Sequence, residues 1–386
     1  MSSRRVVRRG LLTLACSVGL LMAGCGDSGD SGGDAAPPEP AYDEAAATAA
    51  ADWLTGKLDG GLLSYESDFG PYTDYGLSID AAISLDELDD EAAVQQTSEA
   101  VAANIDTYIS GKAFGDPGST YAGPAAKALV LAQLAGDPTA FGGVDLVQTV
   151  ESVTTQGGPA AGRIVDVSTF GDNANVLGQA FAVQGLEEAG SARAADALAY
   201  LLTQQCSEGY FRLSFTKDVE AADQSCDAGS AKESQPDVDT TAVAVLAVGE
   251  SDDEPGVADA VARATEWLAG QQSDEGAFTG SGDTAVENAN STGLAGWALG
   301  ENGRRDAAES AATWVRSVQA GSDGACDQWG AAAGAIAYDP AALEAGAKDG
   351  ITKKSAGQWL RSTAQAVAVL QWAPAGGESS ACPSRG

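Results

Sequence analysis

The chain has no histidine anywhere in its 386 residues. That absence removes the commonest general base and the commonest metal ligand from every site the protein can build. Basic residues are also scarce, with 21 lysines and arginines against 55 aspartates and glutamates. Four of the 21 fall in the first ten residues, so residues 25–386 carry 17 basic and 55 acidic groups, a net charge of -38. A surface of that sign repels phosphate backbones and excludes nucleic acid as a partner. Aromatics make up 6% of the chain, and none of its six cysteines stands at metal-ligand spacing. Neither a metal nor an organic cofactor is expected.

What is present begins with "MSSRRVVRRG", four arginines and no acid, followed by the apolar "LLTLACSVGLLMAG". About 14 apolar residues are too few for the ~20 that cross a bilayer, so residues 1–24 read as a secretory signal peptide. The following stretch, "LMAGC", resembles a bacterial lipobox, which implies lipid on Cys25 and a protein held on the extracytoplasmic face of a membrane. Residues 25–42 are rich in Ser, Gly, Asp and Pro and read as a flexible tether. The remaining cysteines, Cys206, Cys226, Cys326 and Cys382, suit two disulfides in an exported chain. Of three connectivities, proximity favours Cys206 with Cys226 and Cys326 with Cys382, the second tying the tail 375–386 to the body.

Residues 43–374 are periodic. Six segments lead from a polar start into a small-residue apolar helix: "TDYGLSIDAAISL", "STYAGPAAKALVLAQL", "FGDNANVLGQAFAVQGL", "PDVDTTAVAVLAV", "ENANSTGLAGWALG" and "SAGQWLRSTAQAVAVL". Aligning Ala81, Ala128, Ala180, Ala244, Ala295 and Ala366 gives spacings of 47, 52, 64, 51 and 71, which suit a two-helix repeat with variable loops. Six intervening segments, among them "SARAADALAYLLTQQ" and "RRDAAESAATWVRSVQ", carry one apolar stripe with charge opposite. Buried and one-sided helices in alternation predict an all-α fold, a single α6/α6 toroid with inner and outer rings. An open solenoid is the alternative, although no atypical capping repeat is evident to cover its ends.

After outer helices come "QQCSEGYF" at 204–211, "QQSDEGAF" at 271–278 and a degenerate "VQAGSDGAC" at 318–326. This spacing of glutamine, glycine and aromatic resembles the QW repeat of squalene-hopene cyclases and the wider terpenoid cyclase and prenyltransferase toroid superfamily. The stretch "DVDTTA" is similar to the DxDD acid motif of class II terpene cyclases. By that resemblance Asp239 would be the proton donor and Asp237 its support, while Thr240 stands where the motif has its last acid. The zinc-dependent prenyltransferases of the superfamily need histidine and are excluded. The Gly-Cys-Gly-Glu-Gln stretch of complement-type toroids is missing. Vitamin B12 carriers are similar in architecture, which would imply nutrient or corrinoid capture, with a membrane transporter or a second extracytoplasmic protein as partner.

Asp and Thr at a helix start also cap free N–H groups, and Asp74, Asn173 with Asn175, and Asn288 with Asn290 stand at equivalent starts. In a closed toroid these caps ring the mouth of a central cavity, so capping and ligand binding are compatible. The ligand-binding set expected for an unknown small molecule is Asp74, Tyr75, Tyr121, Asn173, Asn175, Asp237, Asp239, Asn290, Trp297, Trp329 and Trp359. Three functions follow: non-catalytic binding in the cavity, cyclase-like catalysis by Asp239, or protein interaction through the acidic exterior. Glycoside hydrolysis would need an opposed pair among Asp74, Asp172, Asp239 and Glu287, and no pair stands out from the capping pattern. Residues 321–354 read either as a lid carrying Trp329 and Tyr338 or as an excursion with one extra helix.

Overall fold

The structure, a computed structural model, describes residues 42–249, 254, 256–282, 285–321 and 329–376. The signal peptide, Cys25, nearly all of the tether, Cys326, Cys382 and most of the tail lie outside the described residues. Fourteen α-helices fall within them. No helix among the described residues is long and apolar enough to cross a membrane.

The outer ring holds α1 (Glu44–Thr55), α3 (Glu91–Ala102), α6 (Leu146–Ser152), α8 (Ala194–Thr203), α10 (Val257–Gln271) and α12 (Arg305–Ser317). Between them run the inner helices α2 (Tyr75–Asp86), α5 (Ala122–Leu134), α7 (Val176–Glu188), α9 (Val238–Val248), α11 (Ala289–Glu301) and α14 (Ala356–Ala366). Each inner helix packs on the next, and α14 packs back on α2, so the ring is closed. The toroid expected from the periodicity is the observed fold. Additions to it are the short α4 (Ile105–Ile109), a hairpin of β1 (Ser64–Ser67) and β2 (Gly70–Thr73), and α13 (Pro340–Asp349). The excursion 321–354 therefore contains an extra helix. Its Trp329 is buried against Trp359, with ring centroids 6.2 Å apart, and is not a lid residue.

A glycine device joins neighbouring repeats. Gly61, Gly162, Gly209, Gly276 and Gly334 adopt φ between 87° and 108°, in the region that favours glycine. A Cβ at any of them would come within 2.7 Å of a carbonyl oxygen of the next outer helix. Glutamine completes the joint: Gln205 Nε2 donates to Gly209 O and Ala260 O, and Gln272 Nε2 to Gly276 O and Ala307 O. Gln319 Nε2 donates to Gly334 O and, across the seam of the ring, to Ala46 O at 2.9 Å. The partner of Gln319 is thus a glycine fifteen residues away, not one inside "VQAGSDGAC", because an insertion separates them. In the repeat before that of Gln205, Gln179 of inner helix α7 takes over the same task with Gly162 O and Ala197 O.

The two residues that follow each of these glycines lead back into the ring. Leu63, Ile164, Phe211, Phe278 and Ile336 donate their N–H groups to Ser78, Gln179, Thr241, Thr292 and Thr363, each at 2.9 Å. These acceptors lie on buried faces of inner helices, where only a satisfied polar group is tolerated. Elsewhere, Cys206 and Cys226 form the expected disulfide, stapling the long segment between α8 and α9. The first and last repeats meet at the seam: Tyr42 pairs with Pro374, and Arg316 bonds Asp43 at 2.5 Å.

Candidate functional site

Every inner helix begins at the same rim, here called the mouth. Asp74 accepts from Leu77 N–H, Asn175 from Gly178, Asp237 from Thr240 and Asn288 from Ser291, at 2.7 to 3.0 Å. These residues are N-caps, and the polar pattern read from the sequence is in part this service to the backbone. Tyr121 makes no cap. Asp166, from the neighbouring loop, accepts from Ala122 N–H at 2.7 Å instead.

The inner helices are in register. Counted from Asp74, Tyr121, Asn175, Asp237, Asn288 and Trp359, the fourth, fifth, seventh and eighth residues are buried in all six. The second and sixth are partly exposed in all six. On a 3.6-residue helix the second and sixth share one face, so that face looks along the ring axis. The upper layer is Gly76, Gly123, Leu177, Asp239, Asn290 and Arg361. Beneath it lie Asp80, Lys127, Phe181, Val243, Leu294 and Gln365. Apolar side chains that stay partly exposed inside a closed ring mean that the axis is not filled by the protein itself.

Charges on this wall are mostly paired. Lys127 Nζ lies 2.5 Å from Asp80 Oδ1 and 5.5 Å from the centre of the Phe181 ring. At the mouth, Asp74 Oδ2 accepts from Arg361 Nη2 and from the Tyr65 hydroxyl, both at 3.1 Å. Asp239 is the exception. Its Oδ1 is shut from solvent and has no hydrogen-bond partner in the protein. Burial pushes its carboxyl up to about 6, against a hydrogen bond with the Ser291 side chain and aided by the charge of Asp237. Deeper on the neighbouring helix, Trp297 Nε1 is likewise buried without a partner.

Of the residues singled out from the sequence, Asp239, Asn290 and Trp297 share one side of the axis, on α9 and α11. Asp237 and Asn175 hold helix ends, and Asp74 does so while pairing with Arg361. Asn173 is exposed in the loop before α7, and its N–H donates to Asp166. Tyr75 packs on Tyr108, a centroid distance of 6.1 Å. Trp359 is 1% exposed and, with Trp329, belongs to the core beside Gly346 rather than to the axial wall. Tyr338 passes its carbonyl to Ala289 N–H and lies close enough to Asp239 for that charge to raise its hydroxyl pKa, behind burial and Asp339. Sequence reasoning missed Asp80, Lys127, Ser291 and Arg361. A single lysine inside the otherwise uncharged "AGPAAKALVLAQL", the sixth residue of the helix, was the available signal.

No family model matches the chain, and no curated protein sequence matches it. Solved structures do. A protein from Actinoplanes is 18% identical with a TM-score of 0.56, covering 86% of this chain and 99% of its own. The type II terpene cyclase MstE from Scytonema, in complex with geranylgeranyl dihydroxybenzoate, is 14% identical with a TM-score of 0.56, over 85% of this chain and 96% of its own. An inactive variant of an alpha-1,6-mannanase of Salegentibacter sp., bound to alpha-1,6-mannotriose, is 10% identical with a TM-score of 0.54, over 86% and 98%. At such identities the likeness establishes the α/α toroid scaffold.

Proposed function

We propose that the chain is a lipid-anchored extracytoplasmic protein that binds an uncharged small molecule along the ring axis without converting it. One observation carries this reading: Asp239 Oδ1 and Trp297 Nε1, both buried and both without a protein partner, stand on the same side of the axis. A buried polar atom left unpaired costs about 1–3 kcal/mol, which a bound molecule can return. Seven residues of register separate the two levels, about 10 Å at 1.5 Å per residue. Val243 and Leu294 lie between them. The ligand is therefore elongated and apolar in its middle, with a hydrogen-bond acceptor for the indole and a polar group for Asp239. An ionic ligand would have to displace Lys127 from Asp80 or Arg361 from Asp74. Anchoring rests on "LMAGC" and the signal-like residues before it.

Native mass spectrometry of residues 26–386, exposed to an extract of the source cells, tests the reading. The expected result is a reproducible adduct that disappears in the Asp239→Asn, Trp297→Ala double variant. Its mass separates a corrinoid, an isoprenoid and a sugar. No adduct at high ligand excess refutes binding at the axis.

A second reading, proton donation by Asp239 to the bound molecule, draws on a carboxylic acid held neutral up to about 6 in a water-poor place. It requires an isomer or cleavage product of the adduct that the wild-type protein forms and the Asp239→Asn variant does not.

A further inference from the structure

Among the described residues the large hydrophobic side chains left exposed are Phe69, Tyr72, Phe114, Val167, Phe170, Leu213, Val219 and Val286. Each of these eight belongs to a connection that leads from an outer helix into an inner one, and all such connections lie at the mouth. None stands on an outer helix or at the far rim. The helices themselves need no apolar surface there, so the crown is an unexplained exposure of the kind that marks contact with another molecule.

Part of the crown stands on a rigid platform. Phe114, 73% exposed, and Phe170, 62% exposed, occupy neighbouring loops that are zipped together where Thr120 and Val167 exchange backbone hydrogen bonds. The buried Asp116 reaches across and accepts from the Ser168 hydroxyl and Thr169 N–H, both at 2.9 Å. Those bonds hold its carboxyl below the ordinary range. The two phenylalanines are thus presented by a hydrogen-bonded base rather than by slack loops.

The other groups on the rim choose the occupant. Exposed acids are interleaved with the apolar tips: Glu66 and Asp68 beside Phe69, Asp218 and Glu220 around Val219, and Glu287 beside Val286. Exposed lysines stand in the same connections, Lys57, Lys217, Lys232, Lys353 and Lys354, with Lys112 bonded to Asp106, but the exposed acids of these connections outnumber them. A second copy would bring acid against acid, and the anionic surface of a membrane would be repelled in the same way. We propose that the crown is a docking surface for a protein whose matching face is basic and offers apolar pockets. Aromatic anchors give such contacts their affinity, and opposite charge gives them orientation and rate. This inference stands apart from the axial site and survives if no ligand binds there.

Site-specific photo-crosslinking in the source cell, with the full chain, tests it. Benzoylphenylalanine is placed at Phe69, Phe114 and Phe170, with Thr139 on the far rim and Gln96 on α3 as controls. The expected result is one protein captured from all three crown positions and from neither control, through a segment of net positive charge. With that protein in hand, Phe114→Ser with Phe170→Ser should weaken binding about tenfold or more. Raising salt from about 50 to about 300 mM should weaken it several-fold. Crosslinks to lipid alone, to a second copy, to an acidic or neutral segment, or at control level throughout would each overturn the proposal. Circular dichroism of the double variant, which changes only exposed side chains, separates lost docking from lost fold.

Discussion

Asp239 couples a candidate site to a cost in stability. Its folded-state pKa, pushed up to about 6 by burial, lies above that of an unfolded aspartate. The sign follows: its contribution is best where the carboxyl is neutral in both states, below about pH 4, and is lost as the pH climbs through about 6. Asp239→Asn removes this dependence while keeping the shape. At pH 8 the variant should be more stable than the wild type by on the order of 2 kcal/mol, and near pH 4 the gap should close. Urea unfolding of both proteins across that range checks it, and a gap independent of pH would mean that burial does not govern the group. The groups around it are Asp237, Asp339, Tyr338 and Ser291. A ligand that meets Asp239 in its neutral form should accordingly bind more tightly below pH 6 than at pH 8.

Between single residues and the ring lies the joint of glycine and glutamine, and here the sequence was only partly legible. "QQCSEGYF" and "QQSDEGAF" show glutamine and glycine four residues apart, so the joint could be read wherever the loop is short. It could not be read at Gln319, whose glycine lies beyond an insertion, nor at Gln179, where an inner-helix side chain has replaced the one in the loop. In both cases the geometry is kept and the linear spacing is not. The helix registers were legible in five of the six inner helices, because three of the four buried positions repeat apolar, mostly small residues. In α7 the equivalent of Ala128 is Ala182 and not Ala180, since alanine stands at both buried positions there. The axial face imposes no such rule, which is why Asp80 and Lys127 escaped notice. The joint also makes a sharp prediction. Gly276→Ala adds a Cβ 2.4 Å from Ser310 O at a φ of 93° and should cost several kcal/mol, about 3 or more. Gln272→Met keeps the bulk but leaves Gly276 O and Ala307 O without their donor, and should cost about 1–3 kcal/mol. Thermal or urea denaturation of the two variants should rank them in that order.

At the scale of the whole ring, closure is the property that distinguishes this fold from an open stack. An open array of hairpins would leave apolar faces at its first and last repeats. Here the first outer helix is instead claimed by the last repeat, through Gln319 to Ala46, Arg316 to Asp43 and the pairing of Tyr42 with Pro374. The seam uses the same glutamine joint as the boundaries closed by Gln179, Gln205 and Gln272, so it should be equivalent to those three, and the ring should tolerate being opened elsewhere. A circular permutant follows from this. Residues 42 and 376 are joined by a short flexible linker and the chain is cut in the far-rim connection between α5 and α6, near Pro138. That cut crosses no glutamine joint and leaves the crown and the axial wall intact. The permutant should fold to the same helical content and unfold in one cooperative step, with a midpoint within a few degrees of the parent, and it should retain any adduct found for the parent chain. Two separate transitions by circular dichroism and tryptophan fluorescence, or failure to fold, would show that the seam is weaker than its bonds suggest. In that event the molecule would behave as a solenoid whose ends merely touch.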